Sequence, residues 1–195
     1  MLLGSCATGL NACGGFCAGS QIVVEHQRIN GSSFVFSASM PGLLAVSASE
    51  GINIIRNTPS IFENLQANVF TARTILDKLD CITIPSHPAS PVIHINVHQA
   101  TTGNGSLKHS VHASPKDAVQ MAEYDTEERL LQEVVEECLS QGVIVTRAKR
   151  LKGQEAVEPR PSIRLALSSA LTRKETEKAT SVLKSALVKV LGKRR

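Results

Sequence analysis

Arginine and serine side chains mark two places in this sequence where an anion could bind. Arg164 interrupts an otherwise apolar run at residues 163–167. A guanidinium presents two parallel N–H donors to a carboxylate, so Arg164 is a candidate for binding a carboxylate, with a structural ion pair as the alternative. Ser37 and Ser39 lie at a predicted strand-to-helix junction, where hydroxyls and free N–H groups bind phosphate or, more commonly, cap the helix.

Histidines are the other residues here that could do chemistry. Five of the six lie on one predicted strand and in the segments beside it, at His87, His94, His98, His109 and His112. His94 and His98 share one face of that strand but lie about 13 Å apart at ~3.3 Å per residue. Metal ligands must lie about 2 Å from the ion. We therefore expect no metal site.

The usual motifs of hydrolysis and nucleotide binding are missing from the sequence. It contains no G-x-S-x-G, no Walker loop and no G-x-G-x-x-G. The five cysteines form no C-x-x-C pair, which favours free, buried thiols in a reducing, intracellular setting. We therefore expect the chain to carry no complete catalytic centre of its own.

Charge is distributed unevenly along the 195 residues. From Arg147 onward fourteen Lys and Arg stand against four Glu, whereas residues 1–146 hold seven against thirteen acids. The basic residues recur at helical spacing, which favours a solvated helix face over a surface for nucleic acid or anionic lipid. The first 24 residues are uncharged but interrupted by glycines, which predicts buried strands and turns rather than a signal peptide or a membrane span.

Apolar periodicity predicts an α+β order of elements that would position these side chains. The predicted elements are short pieces at 14–19 and 22–24, a strand at 34–37, helices at 41–55 and 58–79, strands at 81–84 and 92–97, a helix at 125–142, strands at 143–145 and 163–167, and a helix at 172–191. Residues 100–123 are predicted to be a loop. Asp125 with Glu128, and Thr172 with Glu175, are helix start signals.

The order of short motifs resembles the α-oxoamine synthase family of pyridoxal-phosphate enzymes. The matching segments are Gly14 to Gly19, His26-Gln27-Arg28, Phe34 to Pro41, Ser90-Pro91, Gln141-Gly142-Val143 and Pro161 to Arg164. The resemblance covers nearly the whole chain except the loop at 100–123. The second and third segments are most similar to family members that form the first subunit of a two-subunit enzyme of the endoplasmic reticulum membrane.

This resemblance implies the C-terminal part of the aminotransferase fold type I, an α/β fold. Residues 1–40 would be a remnant of the large cofactor domain and 41–195 the small α+β domain. The family's catalytic lysine would stand six residues before the glycine pair, where this chain has Thr8. Pyridoxal 5'-phosphate would therefore be held by a catalytic second subunit, on the cytosolic face of the membrane, with the anchor outside this fragment.

The resemblance also suggests roles for the polar residues noted first. Arg164 matches the arginine that binds the substrate carboxylate, a role that is vestigial or structural if the subunit lacks the lysine. Ser37 and Ser39 match the segment that approaches the phosphate of the partner's cofactor. Two alternatives stay open. One is a fragment of another α-oxoamine synthase or aminotransferase with its lysine elsewhere, and the other is a non-catalytic domain that binds a partner.

Overall fold

The computed structural model describes residues 1–7, 9–37, 39–97, 107–108, 115–149 and 157–192. The described chain forms two compact units, Met1–Ile61 and Phe62–Arg195. The sequence predicted a boundary at 40–41 between a remnant of the large cofactor domain and the small domain. That boundary stays a prediction.

The first unit is a hairpin followed by helices. Its elements are β1 (Leu2–Ser5), β2 (Gly15–Ala18), α1 (Gln21–Asn30), α2 (Ser32–Phe36) and α3 (Gly42–Asn57). The predicted strand at 34–37 is wrong, because that segment is the end of the short helix α2. The apolar residues at 22–24 likewise lie in a helix, α1.

Close backbone approach explains the glycines of the hairpin. β1 and β2 pair antiparallel from Leu2 opposite Ala18 to Ser5 opposite Gly15. A Cβ on Gly15 would lie 2.6 Å from the carbonyl oxygen of Gly4. Gly14 has a φ of +92°, a conformation that side chains with a Cβ rarely adopt. The strands were expected to be buried, but most of their residues are exposed, so that expectation is wrong.

Helix α3 follows its predicted span closely, but its start differs from the prediction. The carbonyl of Pro41 accepts hydrogen bonds from the N–H groups of Leu44 and Ala45, at 3.0 and 3.2 Å. Pro41 is therefore the N-cap, and the prediction that Ser39 caps this helix is wrong. Ala48 is the buried residue of α3, and it packs in a small cluster with Cys6 and Ala12.

The second unit contains the main sheet and the larger core. Its elements are α4 (Ser60–Leu76), whose first two residues precede the boundary, β3 (Ile82–Thr83), β4 (Val92–Val97), β5 (Leu107–Lys108), α5 (Pro115–Ser140), β6 (Thr146–Ala148), β7 (Val157–Glu158), β8 (Ser162–Ala166) and α6 (Arg173–Gly192). The predictions of α4, β4, β8 and α6 are confirmed to within three residues at each end.

Four strands form an antiparallel sheet in the order β3-β4-β8-β6. Alternate residues of β4 and β8 enter a core shared with the helices, as the alternation in the sequence predicts. The core residues with no exposed surface include Ile93, Ile95, Leu131, Ile163 and Leu187. The polar side chains of β4 and β8 lie on the opposite face of these two strands.

Two further predictions in this unit are wrong. Helix α5 begins at Pro115 rather than at Asp125, so the predicted loop at 100–123 ends earlier than expected; residues 100–106 and 109–114 lie outside the described residues. The predicted strand at 143–145 is irregular, and the strand begins at Thr146. The end of α5 is as predicted, because Gly142 has a φ of +78° and the N–H of Val143 donates to the carbonyl of Cys138 at 2.9 Å.

Candidate functional site: the polar face of the sheet

Arg164 lies on β8, a central strand of the sheet, with its side chain on the exposed face. It is directly opposite His94 of β4 on one side and Thr146 of β6 on the other. Within the described part of the chain it has no ion pair. A structural ion pair was the alternative for Arg164, and no such pair forms among the described residues. The guanidinium is available to bind an anion.

The residues beside Arg164 form a fixed polar surface. Nδ1 of His94 lies 3.0 Å from the hydroxyl of Ser162, and the N–H of His94 donates to the hydroxyl of Ser86 at 2.8 Å. The side-chain amide of Asn96 donates to the carbonyl of Pro161 at 2.9 Å. The hydroxyl of Thr146 donates to the carbonyl of Arg164 at 3.3 Å. Side chains already fixed by the sheet lose little entropy when a ligand binds.

Arg160, four residues before Arg164, does form a structural ion pair. Its Nε and Nη2 atoms donate to the two carboxylate oxygens of Glu127 at 3.2 and 2.9 Å, and Nη2 also donates to the carbonyl of Val97 at 2.7 Å. The Glu127 side chain is only 5% exposed. This bidentate pair connects α5 to the strands, and the sequence analysis missed it, since no local pattern relates residues 127 and 160.

The two predicted phosphate-binding serines lie in the first unit. Ser37 follows α2 in an extended conformation, with φ −142° and ψ 171°, and Ser39 lies two residues before the N-cap of α3. Both are exposed. Their hydroxyls donate to and accept from none of the described residues, so they remain accessible to a phosphate. Their role stays a prediction.

The first unit contains no lysine side chain that could form an imine with pyridoxal phosphate. Thr8, at the family's lysine position, lies outside the described residues. The sequence has no lysine before Lys78. An imine requires an amine, so residues 1–61 do not fit covalent attachment of the cofactor, whereas Ser37 and Ser39 fit a contact to its phosphate.

The cysteines differ in exposure, and one of them has a raised pKa. All five are free; Cys6 and Cys138 are buried as expected, but Cys13 is exposed, against the prediction. Burial, and then the nearby carboxylate of Glu137, raise the pKa of Cys138 to about 11, so this thiol is protonated at neutral pH. Within the residues that the structure describes, no group of three His, Cys, Asp or Glu side chains could hold a metal ion.

Comparison with known proteins assigns this chain to a family. The model of the family described as aminotransferase class I and II matches residues 1–183. The chain belongs to this family. The prediction of an aminotransferase-type fold is thereby confirmed, and so is the resemblance on which it rested.

Among curated relatives, serine palmitoyltransferase 1 of Dictyostelium discoideum is 31% identical over 188 residues, which cover 94% of this chain and 36% of the relative. Long chain base biosynthesis protein 1c of Oryza sativa subsp. japonica is 38% identical over 88 residues, covering 45% of this chain and 18% of the relative. This chain thus spans about a third of the first relative and about a fifth of the second. Both names agree with the predicted similarity to a first subunit.

A solved serine palmitoyltransferase, described with its pyridoxal phosphate internal aldimine, has the same fold. The TM-score is 0.67 at 13% identity, and the match covers 97% of this chain and 40% of the neighbour. At that identity the likeness concerns the fold alone. It assigns the two units to the C-terminal part of a larger family fold.

Proposed function

We propose that this chain contributes a supporting part of serine palmitoyltransferase, the enzyme that condenses L-serine with palmitoyl-CoA to 3-ketosphinganine in sphingolipid biosynthesis. The similarity to serine palmitoyltransferase 1 over 94% of the chain carries the proposal. The chain lacks an amine where the family forms its imine, so we propose that it has no independent activity. A catalytic second subunit would hold pyridoxal phosphate and bind both substrates.

The accessible groups of this chain suggest what it contributes to the complex. Ser37 and Ser39 are exposed hydroxyls with no hydrogen-bond partner in the part of the chain that the structure describes, which suits donation to the phosphate of the partner's cofactor. Arg164 is exposed on the sheet face, which suits binding of a substrate carboxylate.

Localisation follows from the same proposal. In the described residues no helix is long and apolar enough to cross a membrane. We propose that the chain acts on the cytosolic face of the endoplasmic reticulum membrane as part of the complex, held there by segments other than those described.

Co-purification tests the proposal. The chain is produced with an affinity tag together with the second subunit of serine palmitoyltransferase, and the eluate is analysed for both. We expect the two proteins to elute together in equal amounts. Recovery of this chain alone, under conditions in which the intact first subunit retains the second, would remove the proposal.

The serine contacts are tested on that complex. Replacing Ser37 and Ser39 by alanine should weaken pyridoxal phosphate binding about a hundredfold, because each of the two hydrogen bonds to a charged group contributes about 1.5 kcal/mol or more. Ser33→Ala, at an equally exposed position in α2, is the matched control. Unchanged cofactor affinity in the double variant would show that these hydroxyls do not reach the phosphate.

The second candidate function, a domain that binds a partner without catalysis, is compatible with the exposed apolar residues of the first unit. A non-catalytic partner-binding domain would also present such a surface. It differs in predicting a monodisperse, cooperatively melting chain that does not bind the second subunit.

A further inference from the structure

We propose that His94 and Arg164 together form a two-residue carboxylate site, in which His94 selects the ligand as a second donor beside the guanidinium. The inference rests on the proposed function only for the identity of the ligand, the carboxylate of an amino acid. The arrangement of donors is a property of the sheet itself.

The register of the sheet brings the two side chains together. His94 of β4 is the direct cross-strand partner of Arg164 on β8. Side chains directly opposite in an antiparallel pair have Cβ atoms about 5 Å apart on the same face. A carboxylate placed over the strands can therefore contact both groups at once, and the approach from solvent is open on this face because Arg164 is exposed.

The hydrogen bonds of His94 determine which ring nitrogen faces the ligand. Nδ1 lies 3.0 Å from the hydroxyl of Ser162, a residue that is 4% exposed. The proposed site requires that this hydroxyl donate its one proton to Nδ1, which places the proton of the neutral ring on Nε2. Nε2 has no hydrogen-bond partner among the described residues, so its N–H is free to donate to a carboxylate oxygen.

Other polar groups near Arg164 are already engaged. The hydroxyl of Thr146, the cross-strand neighbour on the other side, donates to the backbone carbonyl of Arg164. The Asn96 amide, further along β4, donates to the carbonyl of Pro161. His94 is thus the neighbour that has both a donor to offer and a fixed orientation.

Chemical protection of Arg164 tests the site on the chain alone at low concentration. Phenylglyoxal modifies exposed guanidinium groups, and peptide mass spectrometry gives the rate at each arginine. We expect acetate, the probe, to slow modification of Arg164 saturably. Acetamide, its neutral isostere, should not do so. Arg173, at the start of α6 and with a side chain 78% exposed, is the internal control.

Two variants of His94 separate a ligand-binding role from a structural one. In His94→Gln the terminal amide nitrogen reaches the position of Nε2, whereas in His94→Asn it reaches that of Nδ1 and keeps only the bond to Ser162. We expect His94→Asn to raise the acetate concentration for half-protection about tenfold, as loss of one hydrogen bond to a charged group implies. His94→Gln should stay within about twofold of the wild type.

The opposite ranking, or equal protection in all three proteins, would overturn the inference, because a purely structural His94 is better replaced by Asn. Absence of any acetate protection of Arg164 in the wild type would overturn it as well. These outcomes are independent of the proposed function, since no partner or cofactor is present, and loss of co-purification would leave them unchanged.

Discussion

Arg160 and Arg164 lie four residues apart but occupy opposite environments. Arg160 is held by both carboxylate oxygens of the buried Glu127, whereas Arg164 is exposed on the sheet's polar face. The sequence singled out Arg164 correctly as a cation within an apolar strand. It could not tell which arginine was paired, because Glu127 is 33 residues away and becomes a neighbour only when α5 packs on the sheet.

Removing the buried ion pair should be costly. Arg160→Leu leaves the carboxylate of Glu127 buried without its partner, so we expect the free energy of unfolding to fall by about 3 kcal/mol. Denaturation by urea measures the change. The control is Arg173→Ala at the exposed pair with Glu177, where the expected change is within about 0.5 kcal/mol. Equal effects of the two substitutions would contradict the assigned burial of the Arg160 pair.

The start of α6 gives a stability that depends on pH. Thr172 and Glu175 form the predicted capping box: the N–H and the hydroxyl of Thr172 donate to Glu175 Oε2 at 2.8 and 2.7 Å, and the N–H of Glu175 donates to the Thr172 hydroxyl at 3.3 Å. The backbone hydrogen bond from Thr172, and then that from its side chain, lower the pKa of Glu175 below its ordinary 4.5. The contribution is therefore complete above that value and is lost as the pH falls through the lowered pKa.

Thr172→Ala should reduce the free energy of unfolding by about 1 kcal/mol at pH 7, since the cap hydroxyl is lost. Thr172→Ser keeps the hydroxyl and should remain close to the wild type. Glu175→Gln should be less stable than the wild type at pH 7, and the difference should shrink on acidification below 4.5. Thermal unfolding followed by circular dichroism at several pH values checks this; a constant difference across that range would be inconsistent with the lowered pKa.

At the scale of elements, the sequence predicted correctly the helices and strands whose apolar residues recur on the side that packs against the core. α4 buries Val69, Ala72 and Leu76 at the spacing of three to four residues that a helix with one apolar face requires, and β4 alternates as its sequence requires. At 34–37 a run of β-favouring residues forms the helix α2 instead, because Gly31 ends α1 and its carbonyl accepts from Phe34 and Val35. Intrinsic strand preference is weak and yields to such local bonding.

The start of α5 was misplaced for a different reason. The pair Asp125 and Glu128 has the spacing of a start signal, but both residues lie inside the helix, which begins at Pro115. A proline at the first helical position is itself a start signal, and it was passed over because the polar composition of 100–123 suggested a loop. The buried Thr176 and Thr180 of α6 were also missed; each hydroxyl donates to the carbonyl four residues before it, which makes burial possible.

The glycine that ends α5 allows a test of backbone conformation alone. A Cβ on Gly142 would meet nothing within 4 Å, but its φ is +78°. Gly142→Ala should therefore lower the free energy of unfolding by about 1 kcal/mol through backbone strain. Gly192 of α6 has equal space and no positive φ, so Gly192→Ala should be neutral or stabilising by up to about 1 kcal/mol. The same sign of change at both positions, measured by urea denaturation, would contradict the conformation at Gly142.

At the scale of the whole molecule, the two units differ in how much apolar surface they bury. The second unit has a core of residues with no exposed surface. The first has only a small cluster, while Phe36 is 87% and Leu43 79% exposed. Apolar residues lie almost all round α3, and in the described chain they are largely exposed. We expect this surface to be covered in a complex.

The isolated chain should therefore self-associate. Replacing Leu43 and Val46 of α3 by glutamine should reduce self-association, measured by sedimentation, without lowering the unfolding free energy of the second unit. Val69→Gln, at a position 1% exposed, is the control and should destabilise the chain instead. A wild-type chain that stays monomeric at all concentrations would show that the exposed apolar surface does not cause self-association.

Borohydride trapping tests most directly whether this chain supports a partner rather than forming the imine itself. The complex with the catalytic second subunit is incubated with pyridoxal phosphate and reduced, and the labelled lysine is located by peptide mass spectrometry. The account predicts a single pyridoxyl label, on the partner subunit. A label on Lys78 or any later lysine of this chain, or turnover of serine and palmitoyl-CoA by this chain unaided, would contradict it.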